Sequence, residues 1–188
     1  MQFANTFLIY NQGRAVYLID QHNLHERILF EEFMRQEDAT VVSQTLLFPV
    51  QVTLPPALAG LLNEHMETMR SLGFDIEEFS GGSGEQSFVL RSIPQALRRD
   101  DPVEALTDIL EKASEEENLD EPDGFRRAFI TNLSCKSAIK AGQPLTDEEI
   151  RYLIDHIRDG TYITCPHGRP TMIRLDEDWF RRAFKRSQ

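Results

Sequence analysis

Two largely apolar, β-rich runs, residues 3–10 (FANTFLIY) and 14–20 (RAVYLID), are separated by the polar Asn11, Gln12 and Gly13, so the chain opens with a predicted β-hairpin. Residues 21–36 read as a helix. QTLLFPVQVTL (44–54) is an extended apolar run that Pro49 excludes from the centre of a sheet. Residues 55–72 have prolines at the start, helical periodicity and a closing Gly73, and are predicted as one helix. FDIEEF and QSFVLRSIP read as strands joined by the loop SGGSG, and 101–118 as a further helix. The acidic turn LDEPDG (119–124) marks a possible boundary. Beyond it, 125–142 is predicted as a helix closed by Gly142, and 146–160 as a helix opened by a Thr146–Glu149 capping box and ended by Gly160. TMIRL reads as a short strand, and 176–188 as a terminal helix.

The expected class is α+β. The acidic turn and the motifs described below, which lie towards the two ends, make the middle, 44–122, read as a sub-domain inserted between two halves, 1–43 and 123–188, of another.

Composition narrows the possibilities. At 188 residues with 40% hydrophobic and 27% charged positions, the chain has the balance of a globular protein long enough to bury a core unaided. No apolar run approaches the ~20 residues of a membrane span, and the start lacks the basic region of a signal peptide, so a cytosolic protein is expected. That setting favours thiols or metal ligands over a disulfide for Cys135 and Cys165. A net charge of −11 argues against a broad basic surface for nucleic acid; DNA contact has to be local or borrowed from a partner.

DQHNLHERILFE (20–31) carries the first candidate chemistry. His22 and Glu26 are four apart and share one helix face, and Asp20 sits at the strand–helix junction where a carboxylate suits a helix N-terminus. Glu31 lies ~140° around the helix from Glu26 and is not expected at the same point. Two readings stay open: capping plus surface ion pairs, or half of a metal site. In TCPHGRP (164–170), Pro166 and Pro170 are expected to keep the backbone extended, so that alternation puts Cys165 and His167 on one side. Thiolate with imidazole suits zinc, and the alternative is a buried cysteine beside a loop histidine. Cys135 reads by itself as a small core residue of a helix. Lys136 and Lys140, four apart on that helix, either neutralise phosphate or are simply solvated. His25, His65 and His156 read as helix-surface residues. Together these segments hold both cysteines, two of the five histidines and two carboxylates, enough for one or two metals with mixed ligands.

DQHNLHERILFE resembles the D-Q-H-A-x-x-E-x-x-x-x-E endonuclease motif of MutL-type mismatch-repair proteins. SCKSAIKAG is similar to the family's A-C-K-x-A-[IV]-[KR]-A segment, CPHGRPT to its C-P-H-G-R-P segment, and QTLLFP (44–49) to its sliding-clamp-binding motif. The four segments occur in the family's order from residue 20 to residue 171. Asn23 and Ser134 each stand where the family has Ala. The resemblance is to the C-terminal domain, without the ATPase motifs, which reads as an excised domain or a stand-alone form.

The resemblance implies a homodimer, a dimerisation and endonuclease sub-domain formed by 1–43 and 123–188 with 44–122 as an inserted regulatory sub-domain, and a metal-dependent endonuclease that nicks one strand of duplex DNA. It implies Asp20, His22 and Glu26 as essential for nicking and as ligands of a catalytic metal, expected to be Mn2+. It implies Glu26, Cys135, Cys165 and His167 as ligands of a regulatory or structural Zn2+. Gln44, Leu47 and Pro49 would dock on the DNA polymerase sliding clamp. DNA binding would be weak without a partner, and the mismatch-recognition protein would be met through a full-length protein in the bacterial cytoplasm, at the nucleoid. The dimer is expected through the apolar strands 3–10 and 15–19, with help from 171–184. One alternative is a non-catalytic dimerisation and clamp-binding module with a structural zinc. Another, a zinc hydrolase of small molecules, lacks a Gly-rich phosphate loop or an H-E-x-x-H pattern to favour it. Read by itself, QTLLFP fits an ordinary edge strand with Leu46, Leu47 and Phe48 facing the core.

Overall fold

Two antiparallel sheets and seven helices make up the α+β fold of the residues described in the computed structural model, which are 1–35, 41–79, 86–117, 119, 121–157 and 163–186. In chain order the elements are β1 (Gln2–Phe3), β2 (Phe7–Gln12), β3 (Ala15–Asp20), α1 (Gln21–Arg35), β4 (Ser43–Leu54), α2 (Pro56–Glu64), α3 (Met66–Ser71), β5 (Asp75–Phe79), β6 (Gln86–Pro94), α4 (Pro102–Ser114), α5 (Gly124–Ser137), α6 (Asp147–Ile157), β7 (Met172–Asp176) and α7 (Glu177–Ala183), with a 3-10 turn at Gln95–Leu97. The expected loop SGGSG and the expected helix end at Gly160 lie outside the described residues.

The chain divides into two compact units, Met1–Phe30 with Ala138–Gln188, and Glu31–Ser137. These divisions differ from the expected ones at 43/44 and 122/123. The later division moves because α5 packs with the second unit's core: Phe129 meets Phe74 edge-on at 5.6 Å between ring centres, and Phe125 meets Phe129 at 5.7 Å.

In the first unit the sheet order is β1-β2-β3-β7. Gly13, at φ +62, starts the two-residue turn between the paired residues Gln12 and Ala15, as the right-handed strand twist demands. Upstream, the expected strand 3–10 is interrupted. Ala4 and Asn5 adopt positive φ, closed by the Thr6 N–H donating to the Phe3 carbonyl, and β2 begins only at Phe7. One sheet face buries Leu8 and Ile19 with Leu24 and Ile28 of α1 and Leu153 and Ile157 of α6. Each such side chain contributes about 1.5–3 kcal/mol of transfer free energy. The capping box appears as expected: the Thr146 N–H donates to Glu149 Oε2 at 2.8 Å, and the Glu149 N–H donates back to Thr146 Oγ at 3.3 Å.

In the second unit the order is β4-β6-β5, which leaves Pro49 on an edge strand as expected. The β4 register is irregular there. Thr45 pairs with Ser92 and Val50 with Leu90, so five steps along β4 oppose two along β6. The segment between them bulges out, with Leu47 88% and Phe48 75% exposed, contrary to a core-facing edge strand. The single helix expected over 55–72 is two helices. His65 leaves helical geometry (φ −112, ψ 25) and its ring stacks on Phe125 at 3.9 Å, an aromatic contact that hydrophobic periodicity does not reveal. No helix among the described residues is long and apolar enough to cross a membrane.

Candidate metal centre

The first turn of α1 begins where β3 ends. Asp20 Oδ1 accepts the N–H groups of His22 and Asn23, each at 3.0 Å, satisfying two of the donors that a helix start leaves unpaired. The capping reading of Asp20 therefore holds.

One turn on, Glu26 is 1% exposed, and both of its oxygens face imidazoles. Oε1 lies 2.5 Å from His167 Nδ1, and Oε2 lies 3.6 Å from His22 Nε2. A carboxylate this deeply buried needs cationic partners. The 2.5 Å contact is a short hydrogen bond between the ring and the carboxylate. The 3.6 Å separation is too long for a hydrogen bond. It is a spacing that two ligands of one metal ion can take, roughly 3–4 Å for bonds of about 2.0–2.3 Å.

Cys165 and His167 reach this point by a route other than the expected extended strand. Gly168 donates its N–H to the Cys165 carbonyl at 2.9 Å, closing a β-turn over Cys165-Pro166-His167-Gly168. Proline at the second position and glycine at the fourth are the residues such a turn favours, and Gly168 takes φ +77. Cys165 is 2% exposed. The turn is fastened at its base by Cys165 N–H to the Arg169 carbonyl and Thr171 N–H to the Ile163 carbonyl. It is tied to α1 by Asp20 N–H to the Thr171 carbonyl and by Asn23 Nδ2 to the Pro170 carbonyl at 3.0 Å. Asn23, the departure from the motif, thus has a bonding partner of its own.

Nitrogen, oxygen and sulfur donors of His167, Glu26 and Cys165 all lie within 4.8 Å of one another, a donor set that fits zinc. His22 adjoins it through Glu26; Asp20 does not belong to this group of three. Cys135 lies in the last turn of α5, in the second unit. The other departure, Ser134, is fully buried and donates to the Ile130 carbonyl at 2.7 Å. Lys136 pairs with Asp108 at 2.5 Å, and that carboxylate holds its ammonium above the ordinary lysine range. Lys140 lies beyond the helix, because α5 stops at Ser137 rather than at the expected Gly142.

Two residues that sequence reasoning did not place at the site support it. Gln21 is fully buried; its amide nitrogen faces the carbonyls of Asn5 (2.8 Å), Lys140 (3.1 Å) and Gln143 (3.1 Å), and its oxygen accepts from Gln2 at 2.7 Å. His25 is not a surface residue: its Nδ1 accepts the Ile139 N–H at 2.9 Å, and burial, with His22 nearby, pushes its pKa down to about 4. A buried Gln beside a motif histidine carries no periodic signal that would have marked it.

Fold and site together define an α+β chain with a buried carboxylate–imidazole–thiol centre. A family model described as the MutL C terminal dimerisation domain matches residues 1–145. The chain is 35% identical, over its whole length, to the DNA mismatch repair protein MutL of Clostridium botulinum (strain Langeland). It is 32% identical over 94% of its length to that of Halothermothrix orenii, and 30% over 98% to that of Koribacter versatilis. It spans 27–28% of the length of these relatives. The chain belongs to the MutL C-terminal dimerisation domain family.

Proposed function

We propose that this chain is the metal-dependent endonuclease domain of a mismatch-repair protein, which homodimerises, nicks one strand of duplex DNA and docks on a sliding clamp. The observation that carries the reading is the buried Glu26 with one oxygen towards His167 and the other towards His22. Zinc would be held by Glu26, Cys165 and His167, with Cys135 as the fourth ligand that the family resemblance implies. A catalytic divalent ion, taken to be manganese, would be held by Asp20, His22 and Glu26; when bound it supplies charge at the scissile phosphate and a lowered pKa for the attacking water. Glu26 is the residue common to both sets and couples them. His22 serves as ligand or proton relay through Nε2. The chain's charge of −11 makes unaided DNA binding weak, so a docked clamp would hold the domain on the duplex. A supercoiled-plasmid nicking assay with manganese, with and without the clamp, tests this. Absence of nicking under both conditions would overturn the endonuclease reading.

One observation favours the second reading, a non-catalytic dimerisation and clamp-binding module with structural zinc: Asp20 Oδ1 is already engaged by two backbone N–H groups. The same assay separates the two.

Zinc binding is checked by elemental analysis. The purified protein should carry zinc, and Cys165→Ser with His167→Ala should lose it. Zinc-free wild-type protein with both thiols freely reactive would remove the zinc from the proposal.

The dimer reading rests on the uncovered face of the first unit's sheet. Ile9, Leu18 and Ile173 form a cross-strand row, flanked by Phe7 (42% exposed) and Phe3 (57%), around a cavity of about 430 Å³. An apolar patch of this kind marks an interface. Light scattering should give twice the chain mass at micromolar concentration, and Leu18→Asp with Ile173→Asp should give the monomer. A wild-type monomer mass would sink the assignment.

A further inference from the structure

Two imidazoles one helical turn apart hold the same backbone residue. His22 Nδ1 lies 2.9 Å from the Ile139 carbonyl, and His25 Nδ1 lies 2.9 Å from the Ile139 nitrogen. Each contact has one possible polarity. A carbonyl only accepts, so His22 carries a hydrogen on Nδ1. A peptide N–H only donates, so His25 Nδ1 is bare and its own hydrogen sits on Nε2. Residues 22 and 139 are 117 apart in sequence, yet together these contacts assign a tautomer to each ring.

The consequence for His22 is specific. With Nδ1 protonated, a neutral His22 presents its lone pair at Nε2, the atom 3.6 Å from Glu26 Oε2. The opposite tautomer would turn an N–H towards the carboxylate and leave no lone pair for a metal. Ligating histidines commonly donate their second ring N–H to a carbonyl for this reason. The Ile139 carbonyl can do this only while its residue stays in place. The Ile139 side chain packs against the core of the first unit. Its N–H, which a continued α5 would give to the carbonyl four residues back, goes instead to His25.

We propose that His25 is a positioning residue for the metal centre: by accepting the Ile139 N–H it holds the Ile139 carbonyl against His22 and presents His22 Nε2 to the metal. This rests on the metal-site reading above and adds a residue outside the ligand set. Removing the acceptor should act on His22 rather than on folding alone.

Long-range 15N–1H correlation spectra of the metal-free full chain read the tautomers directly. Wild type should show His22 as the Nδ1–H form and His25 as the Nε2–H form. His25→Leu, which keeps bulk but has no acceptor, should give a mixed His22 population and, after metal is added back, a manganese dissociation constant raised about 10- to 100-fold. His25→Asn, whose side-chain oxygen can accept the same N–H, should restore both. A folded His25→Leu protein with wild-type His22 tautomer and manganese affinity would overturn the proposal. A wild-type His22 protonated at Nε2 would overturn it too, and this readout decides the matter even if His25→Leu does not fold. Wild-type protein that binds no manganese but shows the expected tautomers would defeat the catalytic-metal reading and leave the His25–Ile139–His22 arrangement standing.

Discussion

Glu26→Gln is expected to abolish nicking and zinc binding while the domain stays folded. The substitution removes one charge and no volume. In the proposed centre it takes an anionic oxygen from both metals at once, and a metal's contribution of several kcal/mol to the reaction corresponds to a loss on the order of a thousandfold in rate or more. The structural cost is far smaller. Gln keeps one acceptor and gains two donors, so it can still bond the His167 ring. A lost charge-assisted bond replaced by a neutral one is worth about 1 kcal/mol, or roughly 2–4 °C in melting temperature for a chain of this size. Nicking of supercoiled plasmid in manganese, zinc content and thermal melting together test it. Wild-type nicking by the folded variant would end the assignment of Glu26 to the reaction. A melting temperature lowered by tens of degrees would mean that Glu26 holds the fold more than the metal.

Changing Gln44, Leu47 and Pro49 together to Ala should remove clamp stimulation of nicking and change little else. Leu47 is 88% exposed in the bulge between Thr45 and Val50, so its truncation opens no cavity. Exposed substitutions cost about 0.5 kcal/mol or less, against roughly 2–5 kcal/mol for a buried Leu→Ala. An extended segment binds through a few anchoring side chains, and loss of one such anchor costs about 2 kcal/mol, roughly thirtyfold in Kd. Zinc content and dimer mass should be unchanged, because neither candidate site includes these residues. A triple variant that is folded and still stimulated normally by the clamp would show that docking occurs elsewhere. A variant that unfolds would return the segment to a role in packing.

Local chemistry in the chain was enough for much of the architecture. The hairpin around Gly13 and the capping box of Thr146 and Glu149 follow from bonds within a few residues, and the edge position of Pro49 from its missing N–H, all of which spacing and residue type encode directly. The motif segments likewise put His22 and Glu26 on one helical face, and Cys165 near His167, before any coordinates. What sequence could not supply depends on partners far along the chain. The Cys165–Gly168 turn, which replaced the expected extended segment, closes on a local bond, but it is held beside α1 by Asn23 Nδ2 donating to the Pro170 carbonyl, 147 residues away. His65 left the helix where Phe125, sixty residues on, offered a ring to stack against. The helix expected to run to Gly142 stopped at Ser137, and the Ile139 N–H went to His25, 114 residues away. The buried state of Glu26, which turns an ordinary helix carboxylate into a candidate metal ligand, is likewise a tertiary fact. Periodicity specifies which face of α1 is apolar, but only the packed chain decides which of its polar side chains lose water and must find a charge.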